Sequence, residues 1–274
     1  MTTPAENKAI VLEAFDTLFN KRDYEKAATF WSDKYIQHSA HIPPGRDGLF
    51  NLVRASPPTV RYKNDLIMAE GDRLMLHGQF SGRGDAANWI ACDIVRMENG
   101  TLAEHWDVLQ DEATKEQSVS GLPMFGTSFP PASPNATLTV EEARKITAPL
   151  YEALNEPAKK DINALLAAAA HPDYQSYHTN EEFLTRDQLA EIFKGMGVVT
   201  PDLHWSVKDI MVIADTIIVR GEATGTPIAD FWGAKSTGKS FKTMAIDVFS
   251  VRDGKLARAY HVENWMTALQ QIAK

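Results

Sequence analysis

A long stretch of this chain occurs twice. Residues 93–104 (DIVRMENGTLAE) recur as residues 247–258 (DVFSVRDGKLAR), and the correspondence continues without a gap to Gln110 and Asn264. An upstream segment, residues 69–78, also matches residues 212–221, but at a shorter offset, so the second copy has additional residues between the two segments. A repeat this long indicates a duplicated domain and not the short period of a solenoid. Any fold for this chain must therefore contain two copies of one architecture.

The 274 residues are enough for two domains that each bury a hydrophobic core. We place the first domain at residues 1–117 and the second at residues 136–274. Residues 118–135, between them, are rich in Pro, Ser and Gly but also contain apolar side chains such as Phe125 and Phe129. This composition predicts an extended strap that packs on the first domain.

The order of local sequence patterns is the same in both copies and predicts an α+β fold. Each copy begins with a helix-capping box, TPAE at residues 3–6 and TVEE at residues 139–142, and continues through two further helical patterns. The pattern then changes to the alternation expected of four strands. The dipeptides NG at 99–100 and DG at 253–254 are typical of tight hairpin turns. We expect each copy to pack about three helices on a curved antiparallel sheet, with a final helix from Trp265.

Composition and the motifs that are missing argue against several classes of function. The formal net charge is −8 and no basic tract is present, so we expect no nucleic-acid partner. No apolar run reaches the roughly 18 residues that span a bilayer, and no apolar signal segment is present, which predicts a cytoplasmic protein without a membrane partner. The chain lacks G-x-S-x-G, P-loop and G-x-G-x-x-G motifs, and its histidines have loose spacing for a metal site. We therefore expect neither a cofactor nor a bound metal.

The turn at 99–100 determines which residues of the last two strands face each other, provided that its loop has two residues. Residue 98 then pairs with residue 101, and one face of the hairpin becomes mostly apolar. We expect this face to line the domain interior. Its polar and aromatic pairs are Asp93 with Trp106 and Trp89 with Gln110 in the first copy, and Asp247 with Tyr260 and Thr243 with Asn264 in the second.

Both copies thus place one aspartate, Asp93 or Asp247, on an apolar face rich in aromatic residues. Burial favours the neutral form of a carboxyl group, so we expect its pKa to rise toward the range useful for general acid–base catalysis. The alternative is a structural aspartate that accepts hydrogen bonds and orders the sheet. The duplication is compatible with both roles, because a structural aspartate is duplicated as readily as a catalytic one.

His38 is the second catalytic candidate, because a neutral imidazole beside a buried carboxyl group suits proton transfer. The alternative, a structural histidine that caps a loop, stays open. Tyr177 takes the place of His38 in the second copy, unless a shift of one residue puts His178 there. His77 lies in the middle of a strand whose inward face the pattern does not fix. Beside the catalytic candidates Asp93 and His38, the candidate substrate-binding residues are Tyr35, His77, Trp89, Trp106, Gln110, Tyr177, Asp247, Tyr260 and Asn264.

These residues and motifs resemble SnoaL-like domains of the nuclear transport factor 2 superfamily. In the first copy the resemblance rests on Y-x-x-H at 35–38, GRDG at 45–48 and GTLAEHWD at 100–107. The second copy is similar to the ester-cyclase branch through TGK at 237–239 and DGKL at 253–256. The resemblance implies a cone-shaped barrel around one apolar pocket. It also implies pairing through the sheets, so that the tandem copies form an intramolecular pseudo-dimer, with a homodimer of the whole chain left open.

Family cyclases carry a catalytic aspartate eight residues beyond the apolar residue of their G-K-I motif, which here implies Gln110 and Asn264. Neither side chain is a Brønsted base, so two hypotheses stay open. The first is a cofactor-independent enzyme that moves a proton on a small apolar carbonyl or aromatic substrate, in aldol, retro-aldol, cyclisation or isomerisation chemistry. The second is a non-catalytic protein that binds a small hydrophobic or aromatic molecule. We favour the pocket of the first copy, which has the denser set of polar residues.

Overall fold

A computed structural model of the chain describes residues 2–117, 123–126, 137–177 and 185–273. Contacts divide these residues into two compact units. The first unit ends at Glu112 and also includes Phe125, whereas the second includes Ala113, Met124 and the described residues from 137 onward. No helix in the described ranges combines the length and the apolar character needed to cross a bilayer.

The two units have the same order of elements, and the second ends with an additional helix. The first unit consists of α1 (Pro4–Phe15), a π-helical turn (Asp16–Lys21), α2 (Tyr24–Ala28), β1 (Trp31–Gln37), α3 (Gly45–Ala55), β2 (Arg61–Glu70), β3 (Arg73–Ser81), β4 (Trp89–Glu98) and β5 (Thr101–Asp111). The second consists of α4 (Val140–Ala153), a 3₁₀ turn (Pro157–Lys159), α5 (Ile162–Ala169), β6 (Ala170–Tyr177), α6 (Arg186–Val199), β7 (His204–Ile213), β8 (Thr216–Gly225), β9 (Phe241–Arg252), β10 (Lys255–Glu263) and α7 (Trp265–Ala273). The α+β class predicted from the sequence is confirmed.

Both units begin with the predicted capping box. Thr3 accepts a hydrogen bond from the Glu6 amide, and the Glu6 carboxylate accepts one from the Thr3 amide. Thr139 and Glu142 make the same reciprocal pair at the start of α4. These caps satisfy amides that the first helical turn leaves unpaired. They also start α1 and α4 at equivalent positions, which places Phe15 and Tyr151 at the same point of the two units.

Each sheet has five strands, one more than predicted. The strand orders are β1-β5-β4-β3-β2 and β6-β10-β9-β8-β7. The four predicted strands are antiparallel, but β1 and β6 pair in parallel with β5 and β10, so each sheet is mixed. The extra strand, which begins at Trp31 or Ala170, follows α2 or α5 almost directly. The parallel edge strand brings residues 35–38 next to the middle of β5.

The predicted register of the last hairpin is wrong in both units beyond its turn. Met97 pairs with Leu102 as expected, but Arg96 pairs with Glu104, so Ala103 is an unpaired bulge residue. Ala257 is the equivalent bulge in the second unit, where Val251 pairs with Leu256 and Ser250 with Arg258. A bulge adds one residue to one strand and thereby reverses the faces of the residues beyond it. Every residue of β5 and β10 after the bulge therefore faces the side opposite to the predicted one.

The inner face of the first sheet packs against the helices. Leu74 and Leu76 of β3 belong to the hydrophobic core with Phe15 and Leu18 of the N-terminal helical segment. Leu76 pairs directly with Asp93 of β4, which puts this aspartate on the core side of the sheet. The sequence pattern predicted this face of β4 correctly, and only β5 was reversed.

Most of the predicted strap at residues 118–135 lies outside the described residues. Of the strap, the structure describes residues 123–126. There the Phe125 ring stacks on His77, with ring centroids 6.4 Å apart, and the Lys63 ammonium lies 5.6 Å from the same ring. Phe125 thereby covers part of the sheet face opposite to the helices, and His77 is almost completely buried there.

Helix α6 offers a matched test of packing in the second unit. A Cβ atom at Gly197 would lie 2.6 Å from the Ala158 backbone nitrogen, whereas a Cβ atom at Gly195 would meet nothing within 4 Å. We expect Gly197→Ala to lower the free energy of unfolding by about 1–3 kcal/mol through overpacking. Gly195→Ala should raise it by about 0.5–1 kcal/mol, because alanine has the higher helix propensity. Denaturant unfolding of the full chain measures both changes, and equal shifts for the two variants would contradict this packing.

Candidate functional site

The first unit encloses a cavity of about 300 Å³ between its helices and the inner face of its sheet. Most of the lining is apolar and much of it is aromatic. Phe19 packs edge to face against Phe15 and Phe80, at centroid distances of 5.3 and 5.0 Å, and Trp31 and Trp89 also line the space. A cavity of this size and composition suits a small, largely apolar molecule.

Three ionisable side chains meet at the sheet wall of this cavity. Asp93 of β4 pairs directly with Asp107 of β5, and His105 lies on the same face two residues before Asp107. The His105 Nε2 atom is 2.8 Å from Asp93 Oδ1. One ligand atom from each residue lies within 4.8 Å of the other two, and all three side chains are buried. We call Asp93, His105 and Asp107 the acid–base cluster.

Hydrogen bonds define the protonation state of His105. Gln37 Oε1 accepts a hydrogen bond from the Ser39 amide and is therefore an acceptor, so His105 Nδ1, 3.1 Å away, donates to it. His105 Nε2 faces a carboxylate oxygen of Asp93 and is a donor as well. An imidazole that donates from both nitrogens carries a positive charge. His105 is thus an imidazolium held between Gln37 and Asp93.

The electrostatics of the cluster agree with this assignment. Burial favours the neutral imidazole, but the hydrogen bond to Asp93 opposes it, and the pKa of His105 is raised above its ordinary value. Burial raises the pKa of Asp107, against the positive charge of His105 and with the support of the negative charge of Asp93. Asp107 therefore retains a proton to higher pH than an ordinary aspartate does.

Asp93 has one carboxylate oxygen without a hydrogen-bond partner among the described residues. Asp93 Oδ2 is buried, and no hydrogen bond reaches it from any described residue. A buried carboxylate oxygen without a hydrogen-bond donor costs free energy. Most buried polar atoms in proteins are hydrogen-bonded, so an unpaired one requires a physical reason. A ligand group in the cavity that Asp93 lines would supply one.

The second unit has a related cluster whose hydrogen bonds are satisfied internally. His261 contacts Asp247 through Nδ1, and its Nε2 lies 2.7 Å from Glu263 Oε1. Tyr151 donates a hydrogen bond of 2.7 Å to Asp247 Oδ2. Burial opposes a charge on His261, but the charges of Glu263 and Asp247 outweigh it and raise its pKa well above the ordinary value. The cavity beside this cluster is only about 60 Å³.

The difference between the two clusters originates at one helix position. Tyr151 of α4 occupies the position that Phe15 has in α1, counted from the shared capping box. The phenol oxygen of Tyr151 reaches the carboxylate oxygen of Asp247 that corresponds to the unpartnered oxygen of Asp93. Phe15 has no hydroxyl group, so no phenol oxygen reaches the equivalent oxygen of Asp93 in the unit with the larger cavity.

Three of the candidates in the first copy line its cavity, namely Asp93, Tyr35 and Trp89. The other four do not. The predicted contact between His38 and Asp93 is wrong, because the His38 ring stacks on Trp106 at 4.7 Å and its Nε2 atom lies 2.8 Å from Glu104. The bulge at Ala103 causes this difference, because it puts Glu104, Trp106 and Gln110 on the face opposite to Asp93. His77 also lies on that opposite face, since it pairs with Cys92 and not with Asp93.

In the second copy Asp247 lines the small cavity, and the other candidates do not. Tyr177 and Tyr260 pack on each other with ring centroids 5.3 Å apart, and Arg258 lies over the Tyr177 ring. This pair is the counterpart of His38 and Trp106. Asn264 is buried where β10 ends, and its carbonyl oxygen accepts hydrogen bonds from Thr243 and from the start of α7.

His105 and Asp107 are the functional candidates that sequence reasoning placed on the wrong face. Two alternating sets of residues in β5 are compatible with an inward face. One is His105, Asp107 and Leu109, and the other is Glu104, Trp106 and Val108. The adjacent apolar residues Leu102 and Ala103, which recur as Leu256 and Ala257, were the one signal of a bulge.

The acid–base cluster has the ligand types of a metal site, since two carboxylates and an imidazole are common ligands for divalent transition metals. A metal ligand must, however, present a neutral imidazole with a free nitrogen lone pair. His105 uses both nitrogens as hydrogen-bond donors. The arrangement therefore fits a proton-bearing ion pair better than a metal centre.

Comparison with known proteins gives a match to one family model and similarity to several solved structures. The model of the SnoaL-like polyketide cyclases matches residues 9–118 and, a second time, residues 148–272. Similar solved structures include TsrD from Streptomyces laurentii, with 20% identity over 50% of this chain and 100% of that one and a TM-score of 0.46. IdmH from Streptomyces antibioticus has 25% identity over 47% of this chain and 96% of its own, with a TM-score of 0.42.

A third similar structure is a SnoaL-like polyketide cyclase from Agrobacterium tumefaciens, with 14% identity over 46% of this chain and 94% of its own and a TM-score of 0.39. A search of curated protein sequences finds no match. The two matches of the family model cover most of the chain and coincide with the two structural units. The chain therefore belongs to the SnoaL-like polyketide cyclase family, of which it carries two domains in tandem.

Proposed function

We propose that the first unit is a cofactor-independent acid–base catalyst that moves a proton on a small, largely apolar carbonyl compound. The observation that supports this most directly is the unpartnered Oδ2 atom of Asp93, in a carboxylate held by a charged histidine at the wall of an apolar cavity. Aldol, cyclisation and isomerisation reactions share one demanding step, the removal of a proton from carbon next to a carbonyl group. A positioned carboxylate is a suitable general base for that step.

In the proposed step, Asp93 Oδ2 removes a proton from the carbon next to the carbonyl group. Electron density then moves to the carbonyl oxygen, and Asp107 donates its proton to that oxygen to give the enol. This role requires the protonated form of Asp107, which burial favours by raising its pKa. His105 stays protonated and balances the charge of Asp93. Return of the two protons in the reverse sense restores the cluster.

We propose a supporting role for the second unit. Its cluster satisfies Asp247 with Tyr151 and His261, and its cavity has about a fifth of the volume of the first one. A carboxylate that already accepts several hydrogen bonds is a weaker base than one with a free oxygen. The second cluster therefore serves mainly to order its own sheet and helices.

The test uses 1-tetralone, a bicyclic aryl ketone with exchangeable protons next to its carbonyl group. With the full chain in buffered D₂O, proton NMR should show exchange at that carbon faster than in buffer alone. The same experiment distinguishes catalysis from the alternative, non-catalytic binding. If 1-tetralone binds, as shown by calorimetry, but its exchange rate equals that of the buffer, the binding function replaces the catalytic one.

Phe15→Tyr tests the importance of the free carboxylate oxygen. The new phenol should donate a hydrogen bond to Asp93 Oδ2, as Tyr151 does to Asp247 Oδ2, and so lower the basicity of Asp93. We expect the rate of 1-tetralone exchange to fall by about 10-fold or more, in line with one hydrogen bond to a charged group. The control is Phe19→Tyr, which adds a hydroxyl group elsewhere in the same cavity. Equal rates for the two variants would contradict the role of Asp93 Oδ2.

A further inference from the structure

We propose that Arg83 and Trp89 form an anion-binding subsite at the rim of the first cavity, which selects substrates with a carboxylate at the end remote from the reacting carbonyl group. Arg83 lines the cavity, and its guanidinium carbon lies 3.3 Å from the centroid of the Trp89 ring. Its side chain is 19% exposed, so this end of the cavity reaches solvent. The proposal rests on the proposed function for the position of the reacting group and extends it to the class of substrate.

The two arginines that line the cavity differ in their available donors. Arg22 uses all three guanidinium nitrogens, which donate to the Tyr24 hydroxyl and to carbonyl oxygens that include those of Val53 and Pro57. These bonds hold the end of α3. The contacts of Arg83 all involve Nη1, which donates to the Ala87 carbonyl and lies 3.7 Å from Asp111. Its Nε and Nη2 atoms have no hydrogen-bond acceptor among the described residues.

Asp111 is a weak competitor for Arg83. Its side chain is 57% exposed, and exposed ion pairs at such distances contribute little. Burial lowers the pKa of Arg83, but a guanidinium group stays charged in proteins. A ligand carboxylate would therefore supply acceptors for the Nε and Nη2 atoms of Arg83, and the planar guanidinium group suits two parallel hydrogen bonds to it.

The subsite lies far from the acid–base cluster. Trp89 and Asp93 are four residues apart on the same face of β4, which corresponds to about 13 Å along a strand. At that separation a ligand carboxylate at Arg83 avoids the negative charge of Asp93, and an aromatic body of one or two rings spans the distance. The second unit has Thr226 and Thr243 at the equivalent positions, so only the unit with the larger cavity has this pair.

Calorimetry on the full chain tests the subsite with two compounds that share one aromatic body, 4-biphenylacetate and 4-biphenylacetamide. We expect the unmodified chain to bind the carboxylate about 10-fold more tightly than the amide, as for a hydrogen bond to a charged group. Arg83→Met keeps the aliphatic stem over Trp89 and should remove this preference without changing the affinity for the amide. The matched control is Arg54→Met, since Arg54 also lies over an aromatic ring, that of Tyr24, but does not line the cavity.

Three outcomes would each overturn the subsite. The unmodified chain could bind the two compounds equally, it could bind neither, or its preference for the carboxylate could persist in Arg83→Met. Because 1-tetralone has no carboxylate, its exchange by the unmodified chain tests the acid–base cluster and not the subsite. Failure of the subsite would appear in the affinities of the two biphenyl compounds and would leave the exchange result for the unmodified chain unaffected. Conversely, a chain without exchange activity can still show the preference for the carboxylate, so the two proposals fail separately.

Discussion

Replacement of Asp93 by asparagine should reduce the rate of 1-tetralone exchange by a factor of about 10²–10⁴, the contribution expected of a positioned general base. Asparagine preserves the shape of the side chain and can still accept a hydrogen bond from His105 Nε2, but its amide is not a base. Binding of 1-tetralone, measured by calorimetry, should change little. The loss should therefore appear in the rate of the bound complex and not in the affinity.

Two further substitutions serve as controls for Asp93→Asn. Asp72→Asn changes an exposed aspartate in the β2–β3 turn and should leave the exchange rate unchanged. Asp247→Asn changes the equivalent of Asp93 in the second unit. If Asp247→Asn abolishes exchange while Asp93→Asn does not, the reaction takes place in the second unit and the proposed assignment is wrong.

The exchange rate should also depend on pH through His105. Its pKa is raised above the ordinary value of about 6.5, so the imidazolium persists to higher pH than that of an ordinary histidine and is lost as the pH rises through the raised value. Loss of this charge removes the partner of the Asp93 carboxylate, and we expect the rate to fall on the alkaline side. In His105→Gln the part of the fall that is due to His105 should be absent, and only the fall due to loss of the Asp107 proton should remain.

The sequence was sufficient for the architecture because the informative signals are local. Each capping box needs only residues within one turn, and the type I′ turn at Asn99 and Gly100 needs only residues that tolerate positive φ, which are +51° and +79° here. Each of these signals occurs in both copies, so each copy supports the interpretation of the other. The parallel strand β1 was missed because its partner, β5, lies far along the chain, and its own pattern is short and irregular.

The composition of the site could not be predicted from the sequence, because the strand that carries it is buried on both faces. His105 and Asp107 on one face are as buried as Val108 on the other, so hydrophobic alternation does not specify the register of β5. The single bulge at Ala103 then decides whether Asp93 shares its face with His105 or with Trp106. An error of one residue replaced the acid–base cluster by an aromatic surface.

The same bulge at Ala257 places His261 between Asp247 and Glu263, and His261→Leu should be the most destabilising change in the second unit. Leucine has a similar volume but no charge, so two carboxylates whose side chains are each 4% exposed would lose their cation. Removing one partner of a buried ion pair costs about 3–5 kcal/mol. Hydrogen exchange of β9 and β10 peptides in the full chain, followed by mass spectrometry, measures this loss for the second unit alone. His204→Leu, at an exposed position of β7, is the control and should change stability by less than about 0.5 kcal/mol.

The pH dependence of the same exchange experiment separates the ion pair from simple packing. The pKa of His261 in the folded chain is well above its value of about 6.5 in the unfolded chain, so its stabilising effect is complete below that lower value. The effect is lost as the pH rises toward the raised pKa. Between pH 7 and pH 9 the protection of β9 and β10 should therefore decrease in the unmodified chain, while Tyr151 stays neutral in both states. In His261→Leu the protection should be lower at pH 7 and should not decrease further, and an equal pH dependence in both proteins would mean that His261 is not charged in the folded chain.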